Sequence, residues 1–488
     1  MVLSLFHKPS FKDKLNSIQQ PLHLKALLAS VCSYAARIEQ QRWPPGHSAS
    51  RWHEYHGTSE LGDKEPPEPP DPQKLHSLAV RLFADAMRQY EDDTPPLWLL
   101  QACIINTSYS MTHGVYGKAW RSLGLCIQLA YELNLHLIDF ELYPDGLEKD
   151  PPDLCQWSQD EEARRAWWAI WEMDSYSSSI RRCPGSLRTS EVQTLLPVSD
   201  DAWFQNRHQN SVFLSSNISN LINTMQKLGN ESPLCWLIIA IALMRDAQSQ
   251  SEYKGALWVA NKDKYFAFTK GTSQKTLDAR QTSQTPVEVV NLIKNLQSLK
   301  MALPESLKLL NGPLTFTSPQ PCSMRHLRQQ HSAIYNIAMM IEMARYMAHH
   351  FLAIQEVEAG LALHNDQIQT SPLNPRLPYP TVGGGLLGVQ SCIDAADNIV
   401  DIVSRSSEEQ VLYTNSFNIN VLALAASVKL VQKTFDSPQM DQDVVQTKVE
   451  ILRDTMRKSV EVWDAPQALL KNLDFLGERV ASGHLFDG

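Results

Sequence analysis

Apolar residues recur along this chain mostly at three- and four-residue spacing over segments of 15 to 25 residues, and alternating runs with β-branched enrichment are almost absent. That period predicts helices near 21–40, 74–91, 95–112, 116–136, 158–181, 212–229, 233–248, 286–301, 323–355, 386–405, 412–434 and 443–472, hence an all-α, multi-helix fold. In "GKAWRSLGLCIQLAYELNLHLID" the residues Trp120, Leu123, Gly124, Ile127, Ala130, Tyr131 and Asn134 share one helical face, where small Gly124 and Ala130 would admit a neighbouring helix closely. The longest apolar run, Leu234–Met244, is about half of the roughly 20 residues a membrane span needs, and reads as a buried helix.

A second well-marked helix holds "RRAWWAIWEMDSYSSSIRRCPGSL". Its start is signalled by "SQDE", in which Ser158 can cap the amide of Glu161, and its end by Arg181, Arg182 and the Pro184–Gly185 stop. Trp167, Ile170, Trp171 and Asp174 share a face, so a carboxylate stands beside a wall of indoles and needs a partner to offset desolvation. The arginines near that helix's end, Arg181 and Arg182, are the expected partners, with Arg164 further off. Two readings of Trp167, Trp168 and Trp171 stand open: core packing, or the wall of a ligand pocket between helices.

Three polar stretches interrupt the periodicity, around 43–73 ("EPPEPPDPQK"), 248–285 and 364–385, and read as a solvated insertion and large surface loops. With no internal repeat, residues 1–480 form one helical unit with an insertion at 43–73, followed by a tail at 481–488. The formal net charge of −9 gives no global attraction to a phosphate backbone or an anionic membrane. Eight cysteines stand singly with no Cys-x-x-Cys pair and no secretory leader ahead of them, so they read as reduced intracellular thiols, and the sequons at Asn106, Asn217 and Asn230 carry no weight.

Candidate chemistry changes this picture little. "HEYH" at 53–56 has histidines at i and i+3, not the i, i+4 of a zinc-protease helix, and lies in Pro-rich sequence. "GGG" at 383–385 lacks the Lys and Ser/Thr that would hold a phosphate. The acidic groups at 91–93 and 159–162 lack the aspartate spacing of a terpene-cyclase-like magnesium site, and helix ends explain both. No catalytic residue, metal ligand or cofactor is expected.

Three blocks in order, "LFHKPSF" at 5–11, "GKAWRSLGLCIQLAYELNLHL" at 117–137 and residues 164–187, resemble the regulatory middle region of fungal zinc-cluster transcription factors. The resemblance is carried by Ala119, Trp120, Gly124, Leu133, Leu135 and His136, then by Arg164, Trp167, Trp168 and Asp174. Arg182, Cys183 and Pro184 stand where the family commonly has Gly-Arg-Pro. It implies a non-enzymatic transcription regulator in the nucleus, acting through protein partners in the transcription machinery or a related zinc-cluster protein, with a small-molecule effector as a further candidate partner and no membrane. The six-cysteine binuclear zinc cluster by which the family reads DNA has no counterpart among these singly spaced cysteines, so direct DNA binding by this chain is not expected. The alternatives are a helical ligand-sensing module without a transcriptional role and, less favoured, a helical terpene-cyclase-like enzyme.

Overall fold

A computed structural model of the protein describes residues 4–42, 71–143, 153–268, 285–316, 324–368, 377–378, 387–433, 435–436 and 441–482. Its α-helices are α1 (Phe11–Ser17), α2 (Pro21–Arg42), α3 (Pro72–Met87), α4 (Leu97–Thr112), α5 (Gly117–Glu132), α6 (Leu154–Arg181), α7 (Asp200–Phe204), α8 (Ile218–Leu228), α9 (Pro233–Phe268), α10 (Thr285–Ala302), α11 (Met324–Ile368), α12 (Leu387–Ser404), α13 (Gln410–Tyr413), α14 (Asn418–Gln432), α15 (Gln442–Trp463) and α16 (Ala468–Ser482). The fold is all-α. The strand pairing among the described residues is two residues long and parallel, Leu377 with Phe435 and Pro378 with Asp436.

Local chemistry sets many of the helix ends. Asp71 accepts from the amides of Gln73 and Lys74 ahead of Pro72, whose fixed φ suits a first turn, and Asn217 and Asp441 cap α8 and α15 in the same way. Helix α6 starts earlier than "SQDE" suggests: Asp153, not Ser158, is its N-cap, accepting from Cys155 N, and Ser158 is an interior residue whose carbonyl and hydroxyl both receive Trp203 Nε1 at 3.1 Å. The end falls where expected, with Arg182 in the left-handed conformation at φ 52° just before Cys183 and Pro184.

Helices α2, α3 and α4 pack together, as do α9, α11 and α12 and, at the far end, α14, α15 and α16; α6 contacts α4, α5 and α9. One continuous apolar core runs through all of these groups, with Trp167, Trp168, Trp171 and Trp236 among its largest buried side chains. The apolar run in α9 is buried from Cys235 to Ile241. No helix among the described residues is long and apolar enough to cross a membrane.

Several expectations are corrected. The polar stretch at 248–285 is helical as far as Phe268. The segment 412–434 is not one helix but α13 and α14 separated by Thr414–Phe417, and 443–472 is broken between α15 and α16 by Asp464 in the left-handed conformation and by Pro466, which lacks an N–H. Trp120, placed on the inner face by periodicity, is 40% exposed, and a Cβ on Gly124 would meet nothing within 4 Å, so no helix makes its close approach there. Ala130 is fully buried as expected. The motifs at 53–56 and 383–385 lie outside the described residues.

Candidate functional site

Helix α6 divides its chemistry between two faces. On one, Arg164 makes a two-pronged bond to Asp139, Nε to Oδ2 at 2.9 Å and Nη2 to Oδ1 at 2.6 Å, with both side chains buried. Asp139 Oδ2 also accepts from Leu195 N at 2.8 Å, so the pair ties the turn after α5 to the extended segment after α6. That tie is continued by Gln193 N to the carbonyl of His136 at 2.7 Å and by Thr194 Oγ1 to the carbonyl of Leu135 at 2.6 Å. The next residue, Arg165, donates to Glu161 at 2.8 Å, to Ser4 Oγ at 2.7 Å, to Asp200 at 2.5 Å and to the Val198 carbonyl at 2.8 Å, and its guanidinium lies 4.2 Å from the Trp203 ring centre. Glu161 also accepts from Val198 N at 3.0 Å.

Electrostatics follow from this burial. Desolvation raises the Glu161 carboxyl, opposed by the charges of Arg165 and Arg164. Desolvation pulls Arg164 down, but the hydrogen bond and charge of Asp139 outweigh it and hold the guanidinium above its ordinary value. The N-terminal block joins the same network: Gln101 Nε2 donates to Glu162 at 2.7 Å and to the Leu5 carbonyl at 2.9 Å, Lys14 pairs with Glu162, and His7 Nε2 meets the Trp203 carbonyl at 3.0 Å. The N-terminal block thus reaches α6 by way of Gln101 and Glu162, and the 117–137 block reaches it through Tyr131, whose ring meets Trp167 edge-on at 5.7 Å.

Asp174 is buried, but its partners are not the arginines of its own helix end. Its two oxygens accept from the amides of Ser186 and Leu187 at 3.0 and 3.1 Å, and the cation facing it is Arg245 of α9, 3.8 Å away. Arg245 also donates to the Leu187 carbonyl at 2.8 Å, so carboxylate and guanidinium together hold both sides of one turn. A Cβ on Gly185 would overlap Arg245 Nη2 and lie 3.0 Å from Asp174 Oδ2, so a side chain there would displace Arg245 from this turn. Arg181 instead bonds the Val115 carbonyl at 3.0 Å and lies 4.2 Å over Trp120; Arg182 is the helix cap, Pro184 is exposed, and Arg164 belongs to Asp139. Asp174→Asn keeps one acceptor but removes the charge, and is expected to loosen this turn locally by about 1.5–3 kcal/mol. Hydrogen exchange should accelerate from 184 to 196 while the tryptophan segment of α6 stays protected; unchanged protection at Ser186 and Leu187 would contradict the assignment.

The indoles of Trp167, Trp168 and Trp171 are all within 1% of complete burial, and none lines the large cavity described below. Trp168 donates to the Leu195 carbonyl at 2.8 Å and meets Trp171 edge-on at 5.5 Å. His136 sits edge-on to Tyr131 at 4.9 Å and 6.1 Å from the Trp167 ring; burial lowers its pKa.

The adjoining face of α6, with Arg165 at its edge, carries Ala169, Glu172, Met173 and Tyr176, which fall with Arg165 within one arc of the helix. They border a cavity of about 290 Å³ walled also by α2, α4, α9, α11, the Thr414–Phe417 break and the Asp464–Gln467 break with its flanking residues Trp463, Ala468 and Leu469. Glu172 accepts from Asn415 Nδ2 at 2.7 Å and bonds the Tyr176 hydroxyl; Asn415 N in turn donates to Asn336 Oδ1 at 3.1 Å. Burial pushes the Glu172 carboxyl up to about 7, against the lowering effect of the hydrogen bonds from Tyr176 and Asn415. Tyr176 stacks on Phe417 at 4.1 Å, and Tyr34, bonded to Ser108, is raised by burial. The sequence did offer a signal for Glu172, its i, i+4 spacing from Tyr176. Among the described residues no group of three or more His, Cys, Asp or Glu is placed to hold a metal ion.

With this geometry in hand, comparison with known proteins is informative. The sequence model of the fungal specific transcription factor domain matches residues 1–305. Transcription factor tazR of Aspergillus terreus is 30% identical over 121 residues, 25% of this chain and 18% of its own length. The tropolone cluster transcription factor tropK of Talaromyces stipitatus is 26% identical over 172 residues, 35% of this chain and 29% of its own. The Zn(2)-C6 fungal-type transcription factor FTF1a of Fusarium oxysporum f. sp. lycopersici is 29% identical over 196 residues, 40% of this chain and 16% of its own. The matched stretches thus span less than a third of each of these relatives. No solved structure matches the chain.

Proposed function

The chain belongs to the family of the fungal specific transcription factor domain, and from that premise we propose that it is a non-enzymatic regulator of transcription working in the nucleus through protein partners. The observation that carries this reading is the family match over residues 1–305. The three relatives, each named a transcription factor, support it. The all-α body gives such a regulator a rigid frame, in which buried ion pairs fix the turns between helices, and exposed apolar residues such as Tyr116, Phe140 and Phe475 are available for contact with other proteins. DNA contact is assigned to a partner or to a zinc cluster outside these residues, because the chain has an acidic balance and singly spaced cysteines.

Tethering tests this. The chain fused to an unrelated DNA-binding domain in a fungal nucleus is expected to move a reporter several-fold, up or down, relative to the DNA-binding domain alone. A reporter level indistinguishable from that control, with the fusion folded and bound at its promoter, would overturn the proposal.

A further inference from the structure

The cavity beside Glu172 is large for a packing defect and comes just short of the roughly 300–1,000 Å³ range of small-molecule sites, which suits a small occupant. Its wall is mostly apolar, from Met173, Leu237, Phe417 and Trp463; hydroxyls and amides such as Ser108, Asn336 and Thr414 border it as well, and its one lining carboxyl among the described residues is Glu172, held by Asn415 and Tyr176. Tyr176 and Phe417 are stacked flat against each other at 4.1 Å, so their aromatic surface stands close to the carboxyl. The charged side chain sharing the cavity, Arg165, is already engaged by Glu161 and Asp200. The other titratable groups at the cavity among the described residues are the phenols of Tyr34 on α2, Tyr176 on α6 and Tyr116 between α4 and α5. Helices α9, α11, α14 and α16 present uncharged side chains to it, among them Leu237, Asn336, Ile419 and Leu469.

A carboxylate with no described cationic side chain paired to it, set among aromatic rings and aliphatic walls, is the arrangement that selects a cation with an apolar body: the ammonium gains the carboxylate and the ring faces, and the carboxylate adds a countercharge to its hydrogen bonds from Asn415 and Tyr176. We infer that this cavity binds a small amphipathic amine, with its ammonium group against Glu172 and its hydrocarbon part among Met173, Leu237, Phe417 and Trp463. The site deepens the regulatory reading above by naming the chemistry of an effector, and it spans α6 on one side and the helix breaks at Thr414–Phe417 and Asp464–Gln467 on the other. An occupant would therefore bridge the N-terminal and C-terminal helices of the fold.

The test uses the purified full chain and two probes of one shape, 2-phenylethylamine and 2-phenylethanol, titrated by calorimetry at about pH 8 and about pH 6. At about pH 8 the amine is expected to bind at least tenfold more tightly than the alcohol. Since the carboxyl titrates near 7, the amine should lose close to tenfold in affinity by about pH 6 while the alcohol changes little. Glu172→Gln should erase the amine's advantage and leave the alcohol unaffected. Equal affinities for the two probes, an amine affinity insensitive to pH, retention of the amine's advantage in Glu172→Gln, or no binding of either probe would each overturn the inference. Should Glu172→Gln fail to fold, the amine–alcohol contrast and its pH dependence in the unsubstituted chain decide the matter. Binding is read on the isolated protein and the regulatory proposal on a tethered reporter, so either can fail without the other.

Discussion

Replacing Arg164 with alanine is expected to destabilise the protein by about 3–5 kcal/mol, read as a lowered urea midpoint in equilibrium unfolding. The magnitude follows from what is left behind rather than from the bond removed. With Arg164 gone, Asp139 stays 97% buried with the Leu195 amide as its remaining partner here, and Glu161 loses one of its two opposing charges. An uncompensated buried carboxylate is costlier than the original pair was favourable. A double substitution, Arg164→Met with Asp139→Leu, should therefore recover most of the loss, short of the hydrogen bond to Leu195 N. A double variant as unstable as Arg164→Ala would show that the pair contributes through its own attraction, contrary to this account.

Trp171→Ala is expected to cost a similar amount, about 3–5 kcal/mol, by a different route. The indole is fully buried, edge-on to Trp168, with the Arg245 guanidinium 5.2 Å from its ring centre. Its removal opens a void between α6 and α9 that two long packed helices cannot close, and it deprives Arg245 of the ring that positions it toward Asp174. The local consequence should be faster exchange at Ser186 and Leu187 in addition to the global loss. A soluble Trp171→Ala variant of unchanged stability would return the indole to the rank of a surface or pocket residue.

How much of this was legible in the sequence depends on whether a feature is made by packing or by its interruption. Helical period and Pro184–Gly185 located α6 and its end, because a buried stripe and a stop each leave a local trace. For the indoles the sequence left core packing and a pocket wall open, and the structure places all three in the core. The partner of Asp174 was not legible, since Arg245 lies 71 positions away on α9 and no local rule links the two. Trp120 illustrates the opposite error: its spacing matched the buried face, yet the side chain lies outside under Arg181, where the planar guanidinium covers the ring. The cavity was illegible for a physical reason. Its walls are the breaks at Thr414–Phe417 and Asp464–Gln467, through which an apolar period continues on both sides, and empty space leaves no periodic signature. In retrospect the polar run "TNSFN" and Pro466 were the marks of those breaks.

The central claim is that α6 holds the fold with one face and lines a ligand cavity with the other, and residues 171 and 172 put it to a direct test because they are adjacent and point apart. In the folded chain Glu172 holds its proton more tightly than a free glutamate does, so its favourable contribution is present below about pH 4.5 and is lost as pH rises through about 7. At about pH 8 the ionised carboxylate is therefore a cost that glutamine does not carry. Equilibrium urea unfolding of Trp171→Ala and Glu172→Gln side by side at about pH 8 should place Trp171→Ala about 3–5 kcal/mol below the unsubstituted chain and Glu172→Gln at or above it, the gain shrinking as pH falls toward 5. If Glu172→Gln is instead as unstable as Trp171→Ala at every pH, both faces of α6 are packing surfaces and the account fails.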